Sequence, residues 1–151
     1  MNPRKTTESE AEGGFTAEER AAMKERAAEV RKASKRGVDK KAAAEQDCLD
    51  KIAALPDDDR VLAERIHALV TENAPDLEPK TWYGMPAYAR DGKVLCFFQP
   101  ASKFDARYST FGFNDVANLD DGNVWSTSFA VTGLSDVDEK YLADLVRRAV
   151  S

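Results

Sequence analysis

Twelve of the chain's 13 aromatic residues lie between Trp82 and Tyr141, and only Phe15 precedes them. Aromatic side chains carry the largest apolar areas and dominate packed interiors. The part able to build a core is therefore the later one. Charge divides in the same place: residues 1–47 hold 11 Lys/Arg against 10 Asp/Glu, and residues 48–151 hold 11 against 17, a net −6. A chain of 151 residues can bury one sizeable core. The expected organisation is a disordered leader over 1–14, an N-terminal helix and basic linker over 15–46, and one acidic domain over 47–151.

Several classes of function fall away. No run approaches the roughly 18 apolar residues that span a bilayer, and Met1-Asn2-Pro3-Arg4 opens no apolar signal segment. A cytoplasmic protein is expected. Cys48 and Cys96 lack CxxC spacing and should be reduced thiols. His67 is the only histidine, so a Ser-His-Asp site or a closed zinc site lacks its usual ligand or base. There is no GxGxxG, P-loop or HExxH pattern. A non-enzymatic binding protein fits better than a catalyst.

Thr16 with Glu19 reads as a capping box opening a helix over about Ala17–Lys35, with Gly37 as its stop. Its apolar stripe, Met23, Ala27 and Val30, is thin, so such a helix has little to bury. Six basic residues and one acid, Asp39, fall between Arg31 and Lys41. With no aromatic interleaved and an acidic domain behind, this run reads as a solvated linker rather than a nucleic-acid tail.

Asp47 is expected to cap a short helix burying Leu49, Ile52 and Leu55. After Pro56, a second helix from Asp57 to about Asn73 puts Leu62, Ile66, Leu69 and Val70 on one face. Ala87–Arg90 and Lys93–Gln99 flank Asp91-Gly92, a two-residue type I′ hairpin signal. Tyr108–Phe113 and Val124–Val131 read as further strands. Ser135 with Asp138 caps a last helix burying Tyr141, Leu142, Leu145 and Val146. The order α-α-β-β-β-β-α, plus the N-terminal helix, implies an α+β fold: a two-layer, antiparallel sheet of four to five strands with helices on one face.

Two acidic clusters, Asp57-Asp58-Asp59 and Asp120-Asp121, are the candidate metal ligands. Three adjacent carboxylates suit a hard cation, but at a helix start acids are favoured by the macrodipole and the free amides with no ligand at all, which is the preferred reading. Asp120-Asp121-Gly122 has the composition of a turn. A Glu64/His67 pair is a weak further candidate, and His67 otherwise reads as a boundary residue.

The segment Thr81-Trp82-Tyr83-Gly84-Met85-Pro86-Ala87-Tyr88 packs three aromatics, Met, Gly and Pro into eight residues. Trp82, Tyr83, Gly84, Met85, Pro86 and Tyr88 are the candidate ligand pocket, against the alternative that they plug the core. Together with Gly92-Lys93-Val94, this segment resembles the signature of the YdhG-like family, small bacterial domains of unknown function. The resemblance runs from about Asp47 to Val150, and Phe15–Lys24 is similar to an N-terminal extension of some members. It implies a compact α+β domain. Because a relative is described as a frataxin-like iron chaperone, it also implies Fe(II) handling through exposed carboxylates. The expected partner is a metal ion or small ligand, bound by a monomer or homodimer with no nucleic acid and no membrane. The alternatives are a small-molecule or peptide-binding module built on Trp82–Tyr88, and an uncharacterised enzyme.

Overall fold

A computed structural model describes residues 15–35 and 40–151. The expected leader and the Gly37 stop lie outside the described residues. Helix α1 (Ala17–Lys35) begins as its capping box requires: Thr16 Oγ1 accepts from the Glu19 amide at 3.0 Å, and Glu19 Oε1 accepts from the Thr16 amide at 2.9 Å. Helices α2 (Lys40–Ala53) and α3 (Asp57–Asn73) follow. Five strands come next: β1 (Glu78–Trp82), β2 (Met85–Arg90), β3 (Lys93–Gln99), β4 (Ser109–Phe113) and β5 (Ser128–Val131). A 3-10 turn, Ser102–Phe104, joins β3 to β4, and α4 (Asp136–Ala149) closes the chain. The fold is α+β.

The strands form one antiparallel sheet in the order β1-β2-β3-β4-β5, so every strand pairs with its neighbour in sequence. Side chains alternate between faces with a period of two. The register pairs Tyr88 with Cys96, Cys96 with Phe113, Phe98 with Phe111, and Phe111 with Phe129. These residues share one face, where α2 contributes Cys48 and Ile52, α3 contributes Ile66, Leu69 and Val70, and α4 contributes Leu142, Leu145 and Val146. The opposite face carries the row Lys80, Ala87, Phe97 and Gly112. Phe97 lies over Gly112: a Cβ on that glycine would come 2.4 Å from Phe97 Cζ.

Several expectations change. The compact region starts earlier than Asp47, because Lys40–Gln46 is made of strong helix formers and continues α2. Asp47 thus lies inside α2 and is no cap, and Leu49 is exposed. An additional strand, β1, precedes the expected hairpin. Pro79 conceals it in the sequence, yet an edge strand has a free side where a missing N–H costs nothing. Pro86 is tolerated for a related reason, since the β2–β3 pairing begins only at Ala87 opposite Phe97. The expected strand Val124–Val131 shrinks to Ser128–Val131. Strand β4 ends at Phe113, opposite Thr127, so earlier residues have no ladder to join, and Val124 is 88% exposed. Tyr141 is 54% exposed rather than buried, with its ring edge-on to Phe129 at 6.0 Å.

Replacing Gly112 with Ala forces a methyl against the Phe97 ring and is expected to lower stability by about 1–3 kcal/mol. Urea unfolding of the two proteins checks this.

Candidate functional site

The aromatic segment folds as a second tight hairpin. Tyr83 and Gly84 both take positive φ, 54° and 75°, the pattern of a two-residue type I′ turn between β1 and β2. Trp82 stands edge-on to Tyr83 at 4.9 Å and leans on Phe97 at 5.4 Å. Met85, Pro86 and Tyr88 point into the protein, and Tyr88 is wholly buried. A buried hydroxyl needs a partner, and Tyr88 Oη finds His67 Nδ1 at 2.9 Å. Burial lowers the His67 pKa against a weaker opposing pull from Glu45, so the ring is neutral at pH 7. His67 therefore serves the core through Tyr88. The six residues of the sequence-expected pocket divide between interior and half-buried surface, and none of them lines the cavity beside β1.

Helix α1 crosses this hairpin. Among its described side chains only Ala22 is a buried apolar anchor, while Met23 and Val30 are 44% and 51% exposed. Charge holds it instead. The Glu29 carboxylate accepts from the amides of Tyr83 (3.1 Å) and Gly84 (3.0 Å), one per oxygen. One turn earlier, Glu25 pairs with Lys51 at 2.8 Å and with Lys103. Burial works against the charged form of Glu25, but the two lysines outweigh it and hold its pKa below the ordinary 4.5. Arg26 sits 6.0 Å above the Tyr83 ring and 3.8 Å from Glu29.

Between α1, α2 and the β1 edge lies a cavity of about 540 Å³. Its apolar walls are Val30, Ala44, Pro79, Ala89 and Gly92, with Thr81 beside them. Its polar residues are Arg26, Glu29, Lys40, Lys41, Asp47, Glu78 and Lys80. Strand alternation puts Glu78 and Lys80 on the same face of β1. Glu78 Oε2 is buried with no hydrogen bond among the described residues; its nearest cation, Lys41 Nζ, stands off at 3.7 Å. Among the described residues Lys80 makes no ion pair. Burial lowers its pKa and the charge of Arg26 adds to this, with Glu29 and Glu78 opposing. No sequence pattern marks this pair, because α1 and α2 build the cavity around a strand that Pro79 hides.

The aspartates go elsewhere. Asp59 is buried, and its Oδ2 accepts from the backbone amide of Ser102 at 3.1 Å and from the Ser102 hydroxyl. It ties the start of α3 to the 3-10 turn. Asp57 pairs with Arg60 at 2.8 Å, and Asp58, Asp120 and Asp121 are exposed. No aspartate caps α3, whose N-cap is Pro56. Among the described residues no group of three or more His, Cys, Asp and Glu side chains is placed to hold a metal ion, and no helix is long and apolar enough to cross a membrane. Cys48 and Cys96 are buried free thiols. Burial pushes the Cys48 thiol up to about 12 and that of Cys96 higher, which suits core packing rather than nucleophilic attack. No protein-family model, curated protein or solved structure matches this chain.

Tyr88→Phe leaves His67 Nδ1 without its partner and is expected to cost about 1–2 kcal/mol in urea unfolding. Acid has its own expected effect. Since the docked Glu25 pKa is lowered, its contribution to holding α1 is complete above 4.5 and is lost as pH falls through the docked value. The protection factors of the Tyr83 and Gly84 amides, taken against the intrinsic exchange rate at each pH, should therefore fall in acid before those of the core amides do. Simultaneous loss would contradict separate docking.

Proposed function

We propose that this chain is a small-molecule binding protein whose ligand, held in the cavity beside β1, is an apolar amino acid or a close analogue. One observation carries the reading. Glu78 offers a buried oxygen with no hydrogen bond among the described residues, only Lys41 standing off at 3.7 Å, and Lys80 a half-buried cation with no ion pair among them, two residues apart on one wall. An ammonium or hydroxyl donor would meet Glu78, a carboxylate would meet Lys80, and the apolar part would face Val30, Ala44 and Ala89. Binding sites of this kind combine apolar walls with a few convergent polar groups in about 300–1,000 Å³. An unpaired, half-buried lysine works against folding, which fits a group kept for a ligand.

Calorimetry on the full chain with L-phenylalanine, 3-phenylpropionate (no ammonium) and 2-phenylethylamine (no carboxylate) tests this. Phenylalanine should bind saturably, and Lys80→Met should weaken it about ten-fold, the loss of one charge-assisted contact of ~1.5 kcal/mol. The same substitution should leave thermal stability unchanged or raised. Glu78→Gln should weaken phenylalanine and spare phenylpropionate. Affinity for the carboxylate should fall as pH rises through the lowered Lys80 pKa, at a lower pH than for an ordinary lysine. No saturable heat with any of the three compounds up to about 10 mM would sink the proposal.

A further inference from the structure

The contacts that hold α1 are also a description of what lies beneath it. The two loop residues of a type I′ hairpin have amides outside the strand ladder, and successive amides in such a turn converge into an anion-binding concavity. At Tyr83-Gly84 this concavity is flanked by Lys51, from the end of α2, and Lys103, from the 3-10 turn. Three separate segments thus supply two backbone donors and two ammonium groups. What meets them is a pair of carboxylates on successive turns of α1.

The other I′ turn of the sheet makes the contrast. Gly92 has nothing within 4 Å of where a Cβ would stand, so that glycine answers to backbone conformation alone. A Cβ on Gly84 would come 2.5 Å from Glu25 Oε2 and 2.6 Å from Lys103 Nζ. Here the missing side chain also makes room for an oxyanion and its cation.

We infer that the Tyr83-Gly84 turn, Lys51 and Lys103 form a binding site for a dianionic phosphate group, and that α1 covers it with Glu25 and Glu29 in place of the phosphate oxygens. Both lysines pair with Glu25, while Glu29 has Arg26 on its own helix; with α1 released, the two ammonium groups remain to balance one phosphate, which carries about −1.5 to −2 at neutral pH. Trp82 and Tyr83 border the site with half-buried rings, suited to the organic part of a phosphomonoester. Helix α1 can yield because so little apolar surface is sealed beneath it and because partly exposed ion pairs are individually weak. Phosphate and α1 then compete, so the intact chain binds phosphate with an affinity reduced by the fraction of time α1 is released. The inference stands without any ligand in the Glu78/Lys80 cavity.

The test is a ¹H–¹⁵N NMR titration of the full chain with inorganic phosphate, acetate and phenyl phosphate at constant ionic strength. In Glu25→Ala/Glu29→Ala, phosphate should shift the Tyr83 and Gly84 amides saturably, about ten-fold more tightly than in the unsubstituted chain. Adding Lys103→Met should remove most of that gain. Tighter binding of phenyl phosphate than of inorganic phosphate would identify an organic monoester as the source; equal affinity would identify phosphate itself. Glu25→Gln/Glu29→Gln, which keeps neutral acceptors on α1, should move affinity in the same direction if the alanine pair fails to fold. The inference is overturned by an equal response to acetate, by no saturable shift in either double variant, or by unchanged affinity after Lys103→Met.

Discussion

Burial of one face of a five-stranded antiparallel meander is the constraint on which the rest of this structure depends. Because each strand pairs with its neighbour in sequence, a fixed register puts Tyr88, Cys96, Phe98, Phe111 and Phe113 on the same side. A slip of one residue would turn that aromatic face to solvent. Helices α2, α3 and α4 close over it. Tyr88 admits one polar atom to this interior, and His67 satisfies it from α3. The only histidine of the chain is thereby held by packing.

Helix α1 answers to different physics. It gives up almost no apolar area, so its position is decided by where its carboxylates find donors. That makes its attachment sensitive to pH and salt in a way the core is not. The consequence reaches the cavity beside β1, since Arg26, Glu29 and Val30 form part of its wall. A weakly held helix therefore shapes both the cavity and the covered turn. Ligands of the two would act on each other through α1: filling the cavity favours the docked helix, and occupying the turn releases it.

Elements written in local chemistry were legible. Thr16/Glu19 and Ser135/Asp138 form the capping boxes their spacing implies, and Asp91-Gly92 makes the hairpin turn. The Tyr83-Gly84 turn carried half of the same signal, a glycine at its second position. Prolines on both sides are locally unfavourable in strands. They are accommodated because Pro79 lies on the sheet edge and Pro86 stands ahead of the β2–β3 pairing, facts about neighbours that no local pattern contains. The acidic run at Asp57–Asp59 opens α3 as expected, but nothing local shows that Asp59 is taken by Ser102, 43 residues away.

By itself the sequence determined the class of fold and where its core would lie. Hydrophobic period, capping residues and turn glycines act over a few residues, and the aromatics after Trp82 leave no other place for an interior. Only the tertiary structure decided what surrounds the Trp82–Tyr88 segment. It sent Tyr88 inward to His67, set Glu25 and Glu29 on the turn, and placed Glu78 and Lys80 beside a cavity. The reason is range: these groups come from segments tens of residues apart, and their chemistry exists only after packing has brought them together.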